Sequence, residues 1–301
     1  MHQLPFNKPG RFWRGNLHTH STASDGQLSP EQVCQRYREA GYDFLALTDH
    51  FLERYNWPMV DTRPFRSKDF TTIIGAELHT DRTELGELWH VLAVGLPLDF
   101  APAAADESAA QIAARAKAAG AYVAAAHPSW YALSEVDLAN LGDVDAIEVF
   151  NGTAVDHNDH SDSWPITDVM LGRGKRYLIC ATDDFHAKAE RHDFALGWVC
   201  VKSESLTPEA ILAALKAGHY YSSTGPEIYD IQVRPGESIT VRCSPASRVF
   251  VTGKTSRSIA AGGYVATEYE LSLKKFNSPY CRVTVRDPYG RRAWSNPIWF
   301  E

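Results

Sequence analysis

Histidine and carboxylate residues recur at short spacings in this 301-residue chain. His18 and His20 are two positions apart, and so are Asp184 and His186. Residues i and i+2 of a strand point to the same face, so the two side chains of each pair can converge on one ion. Imidazole and carboxylate groups together suit zinc, manganese, iron or nickel. The two pairs therefore predict a site for a divalent metal.

Of five further candidate ligands, four stand beside short apolar runs of the kind that form buried strands, and Asp25 lies in a turn five residues after His20. The five are Asp25, His50, Glu77, His90 and His127. With the two pairs they make six histidines and three acids, which is more than one ion needs. We therefore expect two or three ions that share bridging ligands.

The remaining histidines are expected to be structural, because a lone buried histidine more often satisfies hydrogen bonds than binds metal. This expectation covers His79, His157, His160, His192 and His219.

Short apolar runs alternate with helix signals over the first three quarters of the chain. The predicted strands cover residues 44–47, 72–74, 91–94, 122–124, 146–149 and 177–179. Helices are predicted over 30–40, 106–119 and 208–217, with Ser29-Pro30 and Thr207-Pro208 as start signals. This alternation indicates a β/α barrel or a doubly wound sheet. In a barrel the C-terminal strand ends surround one mouth, where all nine candidate ligands could meet.

The pattern changes near residue 225, where helical periodicity gives way to alternation such as Ile239–Arg242 and Arg282–Val285. We therefore predict two domains, an α/β domain over residues 1–226 and a small antiparallel, sandwich-like β domain over residues 227–301.

Composition excludes several classes of protein. Lys and Arg total 30 against 37 Asp and Glu, a net charge of −7, so a nucleic-acid partner is not expected. The five cysteines form no C-x-x-C motif, which favours a reducing compartment, and we expect a cytoplasmic protein. No signal-peptide pattern and no run of 18 apolar residues occurs, so neither secretion nor membrane spanning is expected.

The candidate ligands lie in strings that resemble the PHP family, named for polymerase and histidinol phosphatase. Leu17–Ser21 with Asp25-Gly26, followed by Ala46–His50, resembles the opening motifs of that family. His127-Pro128 resembles its third motif and Asp184–His186 its fourth. The resemblance runs from about residue 15 to residue 225. Residues 206–226 also look like members described as phosphoesterases and like the CehA/McbA branch, some of whose members hydrolyse aryl carbamates or esters.

The resemblance implies a distorted (β/α)7 TIM-like barrel with a trinuclear metal centre at its C-terminal mouth. By that resemblance the first ion would be held by His18, His20, Glu77 and Asp184. Glu77 would bridge to a second ion, completed by His90 and His127. Asp25, His50 and His186 would hold the third. Asp183 stands where the family has a small residue, and we assign the ligand to Asp184.

The expected function is that of a phosphoesterase, which hydrolyses a small phosphate ester with a metal-bridging hydroxide. Two to three divalent ions (Mn, Zn or Fe) are the expected cofactors, and Glu77, Asp184 and His186 are the candidate catalytic residues. The first alternative is an aryl carbamate or carboxylic ester hydrolase at the same centre. An aromatic-rich segment over residues 51–70 could cover an aryl substrate or simply fold onto the barrel, and its basic residues could grip a phosphate. The second alternative is a metal-stabilised protein that only binds a partner.

Overall fold

The computed structural model describes residues 4–300. Its strands are β1 Arg11–Asn16, β2 Phe44–Leu47, β3 His50–Phe51, β4 Thr71–Arg82, β5 Leu88–Val94, β6 Tyr122–Ala125, β7 Ala146–Asn151, β8 Leu178–Thr182, β9 Trp198–Ser203, β10 Tyr220–Ser223, β11 Ile228–Arg234, β12 Ser238–Thr252, β13 Ser258–Ser272, β14 Tyr280–Arg286, β15 Arg292–Ser295 and β16 Ile298–Trp299. Its α-helices are α1 Pro30–Glu39, α2 Ala109–Ala118, α3 Glu135–Asn140, α4 Thr153–His157, α5 Trp164–Gly172 and α6 Pro208–Lys216. Short 3₁₀ helices cover Pro5–Asn7, Glu53–Tyr55 and Arg63–Phe65.

Local sequence signals account for where the longer helices begin. The Ser29 side chain accepts a hydrogen bond from the Gln32 backbone, and the Gln32 side chain returns one to Ser29, which forms a capping box ahead of α1. Ser108 caps α2 in the same way, and Thr207 caps α6. The predicted helices are thus present, each with slightly shorter bounds.

The strands form one mixed sheet, which confirms the expected α/β class. The order along its main path is β11-β12-β14-β15-β10-β9-β1-β2-β4-β5-β6-β7-β8. Strands β1, β2 and β4 are parallel neighbours, as are β6, β7 and β8. Strand β5 is antiparallel to both β4 and β6. Only residues 83–87 join β4 to β5, and so short a connection makes a hairpin rather than a helical crossover.

The segments that follow β1 and β8 lie side by side, although these strands are six steps apart in the sheet order. Thr19 and Phe185 form a parallel bridge, and the His20 N–H donates to the Phe185 carbonyl at 2.8 Å. Strand β8 also contacts β9 and β10. The sheet therefore curls until its first and last α/β strands meet, and this brings the two i, i+2 pairs together.

Apolar side chains fill both faces of the central strands. All four residues of β2 and all four of β6 are buried, as expected for strands covered on both faces. Helix α1 adds Val33 and Tyr37 to the core. The interior is therefore packed, and the polar groups of the candidate site lie at one end of it.

The C-terminal strands β11–β16 are antiparallel, as the alternation predicts. They continue the sheet, because β15 pairs with β10. They pack around an apolar cluster that includes Ile239, Val241 and Val283 and extends to Cys200 of β9 and Tyr221 of β10. Arg282 of β14 binds Asp168 of α5 through two hydrogen bonds of 2.8 and 2.7 Å. None of the helices within residues 4–300 has the length and apolar character needed to cross a membrane.

Candidate metal centre

The structure brings all nine predicted ligands together at one end of the sheet. His18 and His20 directly follow β1, and Asp184 and His186 directly follow β8. His127 follows β6, whereas His50, Glu77 and His90 lie within β3, β4 and β5. Their ligand atoms form four overlapping groups, each within 4.8 Å: His20, Asp25, His50, His186; His50, Glu77, His79, His90; His18, His127, Asp184; and His18, His20, Glu77.

Glu77 lies at the centre of these groups and is fully buried. Its Oε1 is 2.7 Å from His90 Nδ1 and 3.1 Å from His127 Nε2. Its Oε2 is 2.6 Å from His50 Nδ1, and His18 Nε2 is 3.5 Å from Oε1. A carboxylate with imidazoles on both oxygens has the geometry of a bridging ligand, which is the role that the family resemblance implies for Glu77.

Asp25 reaches the site from a tight turn. A Cβ at Gly26 would lie 2.7 Å from the His20 carbonyl, so only glycine lets this turn pack against the ligand segment. Asp25 Oδ1 is 3.2 Å from His186 Nε2 and 3.5 Å from His50 Nε2. Lys188 Nζ approaches the other oxygen at 3.0 Å.

The neighbouring acids Asp183 and Asp184 face in different directions. Asp184 has a left-handed backbone, with φ 54°, and its Oδ1 lies 2.9 Å from His20 Nε2 and 3.3 Å from His18 Nε2. Asp183 instead accepts hydrogen bonds from the Tyr37 hydroxyl and from the backbone N–H groups of residues 195–197. Only Asp184 therefore joins the cluster.

Many polar atoms of the cluster lack a hydrogen-bond partner among the described residues. Six such buried atoms belong to the predicted ligands: His18 Nε2, His20 Nε2, Asp25 Oδ1, Glu77 Oε2, His127 Nδ1 and Asp184 Oδ1. Leaving a buried polar group unpaired costs about 1–3 kcal/mol. Six unpaired atoms in one place therefore indicate a partner that they share. Divalent cations fit this donor set of imidazole nitrogens and carboxylate oxygens.

The electrostatics of His20, Glu77 and Asp184 suit the same partner, whereas nearby carboxylates raise the pKa of His18, His50 and His127. Burial, together with the nearby His186 and His50 rings, lowers the pKa of His20 to about 3, so this ring stays neutral and keeps a nitrogen lone pair. Burial alone would raise the pKa of Glu77, but the surrounding histidines hold it well below its usual value. The same balance lowers the pKa of Asp184. Neutral imidazoles and ionised carboxylates are the protonation states that bind metal.

Glu148 is a buried member of the site that the sequence analysis missed. Its Oε1 accepts from His18 Nδ1 at 2.9 Å and from the Thr182 hydroxyl, and its Oε2 accepts from the His127 N–H at 2.7 Å and from Asn151 Nδ2 at 3.1 Å. The Nδ1–H bond turns the bare Nε2 of His18 toward the cluster. A single acid inside the apolar run Ala146–Val149 was the available signal.

His79 is the second omission, because it belongs to one of the four groups although it was expected to be merely structural. It lies two residues after Glu77 on the same strand, so the spacing rule that identified His18 and His20 also applied here. The other histidines set aside do not enter the groups found within residues 4–300.

A cavity of about 240 Å³ opens above the cluster. Its rim carries the cationic side chains of Arg54, Lys188 and Arg191, and its aromatic lining comes from Trp130 and Tyr131.

The aromatic segment over residues 51–70 does not form a cover over this cavity. Phe51 and Phe70 are buried in the apolar clusters of the core. Tyr55 alone stacks on a candidate ligand, with its ring 6.2 Å from that of His50. Of the basic residues in the segment, Arg63 pairs with Asp61 and Arg66 bonds to Thr72, which leaves Arg54 at the rim.

Buried imidazoles and carboxylates at one end of a mixed α/β sheet form a donor set that can hold divalent ions. Residues 16–118 match the family model of the PHP domain, and this stretch contains six of the nine predicted ligands. This match confirms the resemblance to the PHP family over residues 16–118 and is in keeping with the expected class of metal-dependent hydrolase. Assignment to the CehA/McbA branch stays a prediction.

Solved structures show a similar fold. A two-domain protein from Bacteroides vulgatus ATCC 8482, described as containing a predicted PHP-like metal-dependent phosphoesterase, is 15% identical, with 98% of each chain covered and a TM-score of 0.54. A putative metal-dependent phosphoesterase from Bifidobacterium adolescentis ATCC 15703 is 14% identical, with 58% of this chain and 88% of that chain covered and a TM-score of 0.42. An amidohydrolase from Chromobacterium violaceum with bound sulfate is 16% identical, with 60% and 89% covered and a TM-score of 0.46. None of the curated proteins matches the sequence.

Proposed function

We propose that this protein is a phosphoesterase that binds two to three divalent ions, of manganese, zinc or iron, and hydrolyses a small phosphate ester. The observation that carries the proposal is the convergence of six unpaired, buried ligand atoms beneath a cavity with a cationic rim. When bound, divalent ions activate water and neutralise charge on phosphoryl oxygens, so no nucleophilic side chain is required.

The proposed ligand sets are those that the family resemblance implies, and the groups of neighbouring side chains agree with them in part. None of the groups found among the described residues holds His90 and His127 together. Asp25, His50 and His186 would hold one ion, and His20 lies within reach of the same position. Glu77 would bridge between the ion held with His90 and His127 and the ion held with His18, His20 and Asp184. The central position of Glu77, with imidazoles on both of its oxygens, supports a shared ligand and hence a trinuclear centre.

The charge at the rim favours a phosphate over a neutral ester. Lys188 binds Asp25 at 3.0 Å, so its ammonium group stands beside the proposed metal ligands. The Arg191 guanidinium makes no hydrogen bond or ion pair with the residues described, and Arg54 makes only a cation–π contact with Tyr55. Cationic groups that line a cavity attract anionic substrates and can bind phosphoryl oxygens.

Two architectural statements belong to the same proposal. The curled sheet, joined by the Thr19–Phe185 bridge, supports a distorted (β/α)7 TIM-like barrel. The apolar cluster is made mainly by the C-terminal strands, although Cys200 and Tyr221 also belong to it, and it supports a division between residues 226 and 227. All five cysteines are unpaired, in keeping with a reducing compartment, for which we propose the cytoplasm.

The test is a metal-reconstituted preparation assayed against a phosphomonoester, a phosphodiester and an aryl carbamate, with a chelator-treated sample as the control. We expect phosphate ester turnover that is lost on chelation and restored by adding back one of the three metals. Carbamate turnover far above phosphate turnover would refute the phosphoesterase. Metal binding without any turnover would instead favour a protein that only binds.

The aryl carbamate or ester hydrolase remains the second candidate because of the aromatic lining of the cavity. The Trp130 ring stacks on His157 at 4.9 Å, and the Tyr131 hydroxyl lies 3.1 Å from His90 Nε2. Flat rings at the mouth of a cavity suit an aryl group. A Trp130→Ala variant separates the candidates, since it should impair aryl carbamate turnover and leave a small alkyl phosphate nearly unaffected.

Single-ligand variants test the proposed second ion. We expect His90→Ala and His127→Ala each to lower the bound metal and to abolish turnover, whereas the exposed His160→Ala retains both. Bound metal is measured by elemental analysis after dialysis. Full metal content and full activity in either ligand variant would contradict the assignment.

A further inference from the structure

His79 connects the backbone of β5 to one of the proposed ligands. Its ring is buried between β4 and β5, directly opposite His90 in the strand register. His79 Nδ1 lies 3.2 Å from the Trp89 carbonyl oxygen, and a carbonyl can only accept a hydrogen bond. His79 Nδ1 therefore carries the proton, and the neutral ring presents a bare Nε2 on its other side.

The bare Nε2 of His79 lies 2.9 Å from His50 Nδ1 with hydrogen-bonding geometry. Since His79 Nε2 can only accept, His50 Nδ1 must donate. Glu77 Oε2 is nearer to His50 Nδ1, at 2.6 Å, and an ionised carboxylate oxygen also can only accept, so this contact places the proton on the same nitrogen. Hydrogen bonds thus run from His50 through His79 to the β5 backbone.

This chain of bonds decides which nitrogen of His50 faces the metal position. With the proton held on Nδ1, the lone pair of His50 is on Nε2, which lies 3.5 Å from Asp25 Oδ1. Asp25 Oδ1 is also 3.2 Å from His186 Nε2, so the two imidazoles approach the same oxygen. Histidine ligands depend on such bonds to their second nitrogen for tautomer and orientation.

We propose that His79 is a positioning residue, which holds His50 in the Nδ1–H tautomer so that its Nε2 binds the ion shared with Asp25 and His186. The inference rests on the proposed metal centre and adds to it a residue outside the nine predicted ligands. Loss of a bond of this kind typically lowers metal affinity about 10–100-fold.

The first experiment titrates metal-free protein with Zn²⁺ by calorimetry. We expect His79→Leu to weaken one ion about 10–100-fold. His79→Asn, which can keep the bond to the Trp89 carbonyl but is too short to reach His50, should show the same loss and guards against a leucine variant that folds poorly. His79→Gln, whose amide oxygen can accept from His50, should restore affinity to within a few-fold. His219→Leu, outside the cluster, is the matched control.

A double variant separates positioning from direct ligation. If His79 acts through His50, then His79→Leu combined with His50→Ala binds no fewer ions and no more weakly than His50→Ala alone. Loss of a further ion in the double variant would show that His79 is itself a ligand and would overturn the proposal.

A metal-free measurement makes this inference independent of the proposed function. In ¹⁵N-histidine-labelled protein without metal, the His50 resonances should report a proton on Nδ1, and in His79→Leu that preference should be lost. A wild-type protein that binds no Zn²⁺ would refute the metal centre, while the tautomer would still test the bond. An unchanged His50 tautomer in His79→Leu would refute the positioning role.

Discussion

Glu148→Gln is the substitution for which the structure makes the most specific prediction. The carboxylate of Glu148 is fully buried and accepts four hydrogen bonds, two on each oxygen. Glutamine keeps the size and shape of the side chain, but one oxygen becomes an NH₂ group that only donates. Two of the four donors around position 148 then face another donor.

The expected cost follows from those two donors. Each buried donor without an acceptor costs about 1–3 kcal/mol, so the free energy of unfolding should fall by about 2–6 kcal/mol. The protein can avoid part of this cost if the NH₂ group faces Thr182, whose hydroxyl can rotate, and His18, whose proton can move to Nε2. This rearrangement puts a proton on the His18 Nε2 that faces Asp184, so that nitrogen no longer has a lone pair for a metal. Metal affinity then falls instead of stability.

The assay is urea unfolding of the metal-free variant, followed by Zn²⁺ titration, with Glu204→Gln as the control at an exposed acid. We expect Glu148→Gln to lose stability, metal affinity or both, and Glu204→Gln to lose neither. If Glu148→Gln keeps its free energy of unfolding within about 0.5 kcal/mol of the control and also keeps its metal affinity, the role given to Glu148 is refuted.

Three further outcomes are expected from the fold. Arg282→Met should lower the free energy of unfolding in urea by about 2–3 kcal/mol. The loss is smaller than that from breaking a fully buried ion pair, because the Asp168 side chain is 32% exposed. No change would show that this pair does not join the C-terminal strands to α5. Gly15→Ala should lower the free energy of unfolding by about 1–3 kcal/mol, since its Cβ would lie 2.2 Å from the Phe44 ring. Gly172→Ala, whose Cβ would have nothing within 4 Å, should be tolerated. Equal stability of the two variants would contradict this packing. Burial raises the pKa of all five thiols, so a thiol reagent at pH 8 should label the native protein slowly and the urea-unfolded protein fully, and fast native labelling would contradict their burial.

Local patterns were enough to predict the metal ligands, because each signal is contained in a few neighbouring residues. The spacing of His18 and His20 puts both rings on one side of the chain, and Asp184 and His186 obey the same rule. Short apolar runs indicated which of the other acids and histidines stand near strands. Capping residues such as Ser29 likewise predicted where helices begin. These features depend on backbone periodicity, which the sequence records directly.

Other features depend on which segments of the chain meet in space, and the local sequence pattern does not show which segments meet. The antiparallel direction of β5 follows from the five-residue connection between β4 and β5, which the alternation of strands and helices does not predict. In the sequence, Glu148 is one charged residue in an apolar strand, and only the fold brings its four donors together from four different segments. Its ligand-orienting role therefore could not be read from residues 146–149 alone.

The sequence by itself thus predicted the chemistry of this protein: nine candidate ligands, a metal-dependent hydrolase and a resemblance to the PHP family. Only the tertiary structure decided how those ligands are grouped, that Asp184 rather than Asp183 faces them, and that Glu148 and His79 stand behind His18 and His50. The physical reason is that ligand identity is a property of single side chains and short spacings. Tautomer, orientation and shared contacts arise from hydrogen bonds between segments that only the folded sheet places side by side.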